Sequence, residues 1–209
     1  MHAATPIALG LRAVRGGAVV VAVALDAGTP RVALSTFLDT AGEGDRLAYE
    51  PYHVAVEIAA GGSRQDAEAA VAEGRRRQAE AATGGLRSLA GRLQDAGYEA
   101  SVAVLLVNRA GWITDLLQHS LGAPEHPPVA EGLAVRDALR LALAGAGVRV
   151  VEMDEKTLPE AASERLGVPG AELEAQLKDL GAAAGRPWRK EQKLACLAAW
   201  LALAGQAPA

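Results

Sequence analysis

Two glutamates in this chain stand where a solvated carboxylate is not expected. At about 100° per residue on a helix, Glu131 shares its direction with Val135, Ala138 and Ala142, the centre of an apolar stripe. Glu191 aligns in the same way with Ala195, Ala198 and Ala202. That second stripe is alanine only, with Leu194, Leu197 and Leu201 to one side, so the inward placement of Glu131 has the better support. Each acid falls in the first turn of its helix. There it can simply complement the helix dipole, worth about 0.3–1 kcal/mol, and accept from free backbone N–H groups. The other reading is a functional pair. His126 precedes Glu131 across a proline-rich loop, and Arg136 follows it. A histidine, a glutamate and an arginine around one helix start suit binding of a phosphate or steering of a metal-bound water. The plainer alternative for His126 is an exposed loop residue.

The remaining chemical groups read more blandly. His53, in Pro51-Tyr52-His53, is either a structural histidine at the end of a loop or a lining residue. Trp188, behind Pro187, is either a staple for the last helix or a stacking surface for a base. Arg75-Arg76-Arg77 lies between Glu73 and Glu80; consecutive residues spread around a helix and suit a solvated face. Gln118-His119-Ser120-Leu121-Gly122 resembles the nucleophile elbow of lipases and esterases. That motif needs a strand before the serine, and Trp112 to Leu117 reads as helical. Cys196 sits between Ala195 and Leu197, which suits a buried, inert thiol.

The elements that must position these groups follow from patterning. Thr5 to Val14, Ala18 to Asp26 and Arg31 to Asp39 read as three strands joined by short glycine-bearing turns, hence an antiparallel meander. Ala41 to Glu50 reads as a loop. Ser63 and Asp66 resemble an N-cap with its acid, opening a helix toward Ala96 that Gly84-Gly85 can break. Ser101 to Val107 is a fourth strand, apolar throughout like a central one. Gly111 to Leu121 is a short helix, Val129 to Ala146 a clear one, and Val148 to Met153 a fifth strand. Short helices then start near Pro159 and span Ala171 to Leu180, and the last runs from near Trp188 to about Ala204. Trp200 lies opposite the Glu191 stripe, so the last helix is apolar on more than one side. It packs between the sheet and the preceding short helices, or it forms a homodimer contact. If strands one, four and five are parallel, ligands bind beyond their carboxyl ends. Arg12, Asn108, Asp154 and the first turns of the two long late helices would converge there.

Composition sets the outer bounds. The chain has 209 residues, half of them hydrophobic but only 3% aromatic, so its core is built from alanine, valine and leucine. The net charge of −4 excludes a generally basic nucleic-acid binder and leaves only a local patch. One cysteine excludes an intrachain disulfide and a cysteine zinc cluster. The start lacks the features of a signal peptide. Ala18 to Leu25 and Leu194 to Ala204 are too short to span a bilayer. A cytoplasmic protein without a membrane partner is expected.

The order of elements resembles the ribonuclease H-like superfamily, in the branch that contains the Holliday-junction resolvases. Ile7-Ala8-Leu9-Gly10-Leu11-Arg12 with Gly16-Gly17 is similar to that branch's start, and Lys190 through Ala199 is similar to its terminal helix. Pro51-Tyr52-His53, Ala130-Glu131-Gly132 and Gly185-Arg186-Pro187-Trp188 resemble the marks of a bacterial family. The resemblance implies an α/β fold: a five-stranded mixed sheet, three antiparallel strands first and then alternating helix and strand, with helices on both faces. It covers the chain as a single domain over 1–209 apart from inserted helices at about 156–182, and residues 205–209 read as a flexible tail. The superfamily's nucleases hold two magnesium ions with acids on the first strand, on the first helix or fourth strand, and on the terminal helix. Here the first-strand position near Leu9 to Leu11 carries no acid, and the fourth strand ends at Asn108. Glu191 alone matches on the terminal helix, and three residues later stands Leu194. Two-metal catalysis needs clustered negative charge, and most of it is missing. The expectation is a nucleic-acid-processing protein with an altered or lost metal site. If it is active, Glu131 and Glu191 hold Mg2+ or Mn2+, and Asn108 or His126 assists. Arg12, His126, Arg136, Trp188 and Lys190 then contact the substrate. The alternative is a non-catalytic binding or assembly module that needs no metal. An esterase using Ser120 ranks third.

Overall fold

The computed structural model describes residues 4–108, 113–123 and 127–205. Three strands come first: β1 (Thr5–Val14), β2 (Gly17–Asp26) and β3 (Thr29–Asp39). Next are α1 (Arg46–Tyr49), α2 (Pro51–Ala60) and α3 (Arg64–Asp95). Then β4 (Tyr98–Val107), α4 (Leu116–Gly122), α5 (Pro127–Gly145) and β5 (Arg149–Asp154) alternate. The chain closes with α6 (Leu158–Leu166), α7 (Gly170–Ala184) and α8 (Lys190–Ala204).

The sheet order is β3-β2-β1-β4-β5. The first three strands pair antiparallel, and β1, β4 and β5 pair parallel, as the alternation of elements demands. β1 is central, so both its faces are covered. Ile7, Leu9 and Leu11 point to one face, where α3 and α5 supply Leu86, Leu89, Val135 and Leu139. Ala8 points to the other, with Val21, Val104 and the α8 residues Ala195, Ala198 and Leu201. The alanines of α8 let it approach closely: a Cβ on Gly10 would lie 1.8 Å from the Ala195 carbonyl oxygen.

α8 is buried on nearly every side, including Trp200, because α6 and α7 cover the face turned away from the sheet. Of the two readings of that helix, the sandwiched one is realised. Each leucine or tryptophan so buried contributes about 1.5–3 kcal/mol.

Two local readings are corrected. Residues 41–50 are not all loop, since α1 lies within them, and α2 follows at once, so His53 sits in a helix and not at a loop end. Gly84-Gly85 does not break α3, which runs unbroken for 32 residues from its Ser63 cap; the Ser63 hydroxyl accepts from the Asp66 N–H. The Gly85 position has a packing reason: a Cβ there would press to 3.2 Å on Leu38. Among the described residues no helix is long and apolar enough to cross a membrane.

Candidate functional site

The carboxyl edge of the parallel strands carries an ion cluster centred on Arg12, near the end of β1. Its Nε lies 3.1 Å from Glu155 Oε1, and its Nη2 donates to Glu155 Oε2 at 3.2 Å. Its Nη1 lies 3.9 Å from Glu191 Oε1 in the first turn of α8. The arginine and Glu155 are mostly buried, while Glu191 is more open. Glu155 follows directly on β5, a position the sequence reading passed over in favour of Asp154. Asp154 turns instead into its own loop, where Oδ1 accepts from the N–H groups of Lys156 and Thr157 ahead of α6.

Glu131 is fully buried, as its apolar stripe predicts. Its partner lies elsewhere in the fold. Oε1 accepts from the backbone N–H groups of Tyr52 at 2.9 Å and His53 at 3.0 Å, and lies 3.2 Å from His53 Nδ1. These N–H groups belong to the first turn of α2, whose own N-cap residue, Glu50, makes no side-chain cap. Glu131 therefore caps a helix 79 residues away in sequence. Burial pushes its carboxyl above the usual range, and the hydrogen bonds from His53 and Tyr52 work the other way.

Glu131 and Glu191 do not meet. α5 and α8 lie on opposite faces of the sheet, and the two carboxylates have separate partners. The expected pairing fails because the stripe of α5 faces one side of β1 and the stripe of α8 the other.

The other residues fall as follows. Arg136 is 5% exposed, and its Nη2 donates to Asn108 Oδ1 at 3.2 Å. Burial and then neighbouring Arg140 pull its pKa below the usual guanidinium range, against the fields of Glu155 and Glu152. Trp188 is a staple: its indole N–H donates to the Leu177 carbonyl at 2.8 Å, and its ring fills the place a Cβ on Gly181 would take. Lys190 opens α8, exposed, beside Trp188 in a groove toward α7. His126 lies outside the described residues. Ser120 lies inside α4, fully buried, and its hydroxyl donates to the Leu116 carbonyl, so the strand-turn-helix setting of a nucleophile elbow is absent. Arg76 and Arg77 pair with Glu73, and Arg75 reaches Asp137 across to α5.

The divalent ions that the resemblance implies do not fit these residues. A guanidinium lies between the two acids at the strand edge, which opposes a cation there. Among the described residues no group of three or more histidine, cysteine, aspartate or glutamate side chains could hold a metal ion.

The strand order, with β1 central between the antiparallel β2 and β3 and the parallel β4 and β5, defines the ribonuclease H-like fold. The chain is similar to Thermus thermophilus RuvC in complex with a Holliday junction substrate. The TM-score is 0.54 at 10% identity, over 93% of this chain and 91% of that one. A second Thermus thermophilus RuvC structure gives 0.54 and 10% over 95% and 93% of the two chains. At this identity the likeness shows the fold alone. No family model and no curated protein matches the sequence.

Proposed function

We propose that this protein uses the ribonuclease H-like fold to bind nucleic acid without metal-dependent cleavage. One observation carries the reading: Arg12 lies within ion-pair distance of Glu155 and Glu191, where a nuclease of this fold would gather negative charge. Phosphodiester hydrolysis by metals needs that charge to hold the ions. An arginine supplies the opposite sign and ties down the carboxylates that remain. Support for a nucleic-acid partner comes from the fold, since one similar structure is of a protein in complex with a Holliday junction substrate.

The test uses the full chain with unphosphorylated four-way junctions, duplexes and single strands. Binding is followed by fluorescence anisotropy across a salt series, and cleavage by gel in Mg2+ and in Mn2+. The expected result is binding that weakens as salt rises, by the slope that phosphate contacts impose, with every strand intact. Salt-independent or absent binding overturns the partner. Cleavage in Mg2+ or Mn2+ that Glu191→Gln abolishes overturns the loss of activity.

A further inference from the structure

Among the described residues, Arg136 is a buried cation with no hydrogen bond to a carboxylate. It is 5% exposed, and its hydrogen bond among the described residues goes to the neutral amide oxygen of Asn108. Its Nε is buried with no hydrogen-bond partner among the described residues. An ionised group in such surroundings is strongly unfavourable unless it is compensated. Burial, and then the charge of Arg140, lower its pKa.

Arg136 lines a recess of about 450 Å3 between α2, α3, α5 and residues 113–117 at the start of α4. Arg75 and Arg140 line it too, both far more exposed, so they flank its mouth. Asp137 holds these outer arginines on one carboxylate, at 3.0 Å from Arg75 and 2.7 Å from Arg140. Arg140 also reaches Glu152. Leu133 and the buried ring of Tyr52 add apolar lining, and Asp115 stands on the side of residues 113–117. Three guanidinium groups around one recess present several forked donors, and planar forks match phosphate oxygens better than a point charge does.

We propose that this recess binds a terminal phosphate, with Arg136 at its floor and Arg75 and Arg140 at its mouth. Its volume suits a phosphate with an attached sugar or nucleoside. The phosphate belongs either to a free nucleotide or to the end of a strand. The site lies on the α5 face, whereas the Arg12 cluster ties β1 to the start of α8. The inference is therefore independent of the proposed function.

The experiment is titration calorimetry on the full chain at constant ionic strength. The probes are inorganic phosphate, adenosine monophosphate, adenosine, and a short oligothymidylate with and without a 5′-phosphate. Inorganic phosphate and the monophosphate bind and adenosine does not. Arg75→Gln and Arg140→Gln each weaken binding by about tenfold or more, the scale of one charge-assisted hydrogen bond. Both side chains are exposed, so these variants stay folded. Asp137→Asn strengthens binding severalfold, because it releases Arg75 and loosens Arg140, which keeps Glu152. A tighter phosphorylated oligonucleotide assigns the strand end, and a tighter mononucleotide assigns the free ligand; either supports the site. No binding of phosphate or monophosphate at up to about 10 mM, by heat or by competition, overturns it, since that is tenfold weaker than a Kd of about 1 mM. So does unchanged affinity in both arginine variants, or weakening by Asp137→Asn. The junction assay above uses unphosphorylated strands, so failure here leaves that reading standing.

Discussion

Gly10 of β1 passes directly beneath Ala195 of α8, so close that a Cβ on the glycine would stand 1.8 Å from the alanine's carbonyl oxygen. Backbone meets backbone here, and no side-chain rotation can relieve the clash. Gly10→Ala must push α8 off the sheet or bend β1, and α8 is the spine of one whole core. The expected cost is about 3 kcal/mol or more, at the upper end for overpacking. Gly91→Ala in α3 is the control, since nothing lies within 4 Å of the added methyl. It should stabilise by up to about 1 kcal/mol through helix propensity. Urea midpoints check both, and an unchanged Gly10→Ala midpoint would contradict the close approach.

That contact also shows which parts of the molecule could be read from the sequence. The alanine stripe of α8 predicts close packing on a sheet, and the five strands follow from apolar runs between glycine turns. The burial of Glu131 was equally visible, because its helical neighbours are all apolar. Hidden were the relationships between distant residues. α2 escaped notice because Pro51-Tyr52-His53 has no local side-chain cap; the cap arrives from Glu131. Glu155 escaped because a carboxylate after a strand means little until Arg12 is found beside it. The separation of Glu131 from Glu191 is hidden for a related reason. Periodicity tells which side of a helix is buried, but not which face of the sheet receives that helix.

Cys196 lies at the heart of the α8 layer, and burial alone pushes its thiol up to about 12. Only the thiolate attacks an alkylating reagent. Native protein at neutral pH should therefore resist iodoacetamide, whereas denatured protein is labelled fully. The sign with pH follows from the same shift. The folded state keeps its proton longer than the unfolded one, so this residue's contribution falls as pH rises from about 9 toward 12. Mass spectrometry across a urea series checks it; labelling before unfolding would contradict burial.

Glu131 is a buried acid whose pKa is raised, so its linkage runs opposite to that of an ordinary salt-bridged carboxylate. Above its ordinary value of 4.5, the folded state binds more proton than the unfolded state. Its contribution to stability thus falls as pH rises from 4.5 through the folded pKa. Glu131→Gln keeps an acceptor for the Tyr52 and His53 N–H groups and removes the charge. Relative to wild type, that variant should gain stability steadily over this range in urea titrations. Glu131→Ala instead leaves both N–H groups of α2 without their acceptor. It should cost about 3 kcal/mol, a lost cap plus buried unsatisfied donors. A wild type that gains on Glu131→Gln with rising pH would show that the hydrogen bonds outweigh desolvation.

Arg12 holds Glu155 at 3.1 Å and Glu191 at 3.9 Å, and the two acids would repel without it. The Glu155 contact is mostly buried and the Glu191 contact is long and more open, so nearly all the stabilisation lies in the first. Arg12→Gln should cost about 2 kcal/mol, between the values for exposed and fully buried pairs. Its effect on metal is the sharper test. With arginine present, a divalent cation meets a positive charge at the edge of β1, and Mn2+ should leave the melting temperature of the wild type unmoved. Arg12→Asp reverses that sign and leaves three carboxylates at one strand edge, the oxygen donors a hard cation prefers. Mn2+ at millimolar concentration should then raise the variant's melting temperature by several degrees, as a ligand that favours the folded state must. Equal stabilisation of wild type and variant would mean that the arginine does not guard this edge, and the account of a lost metal site would fall with it.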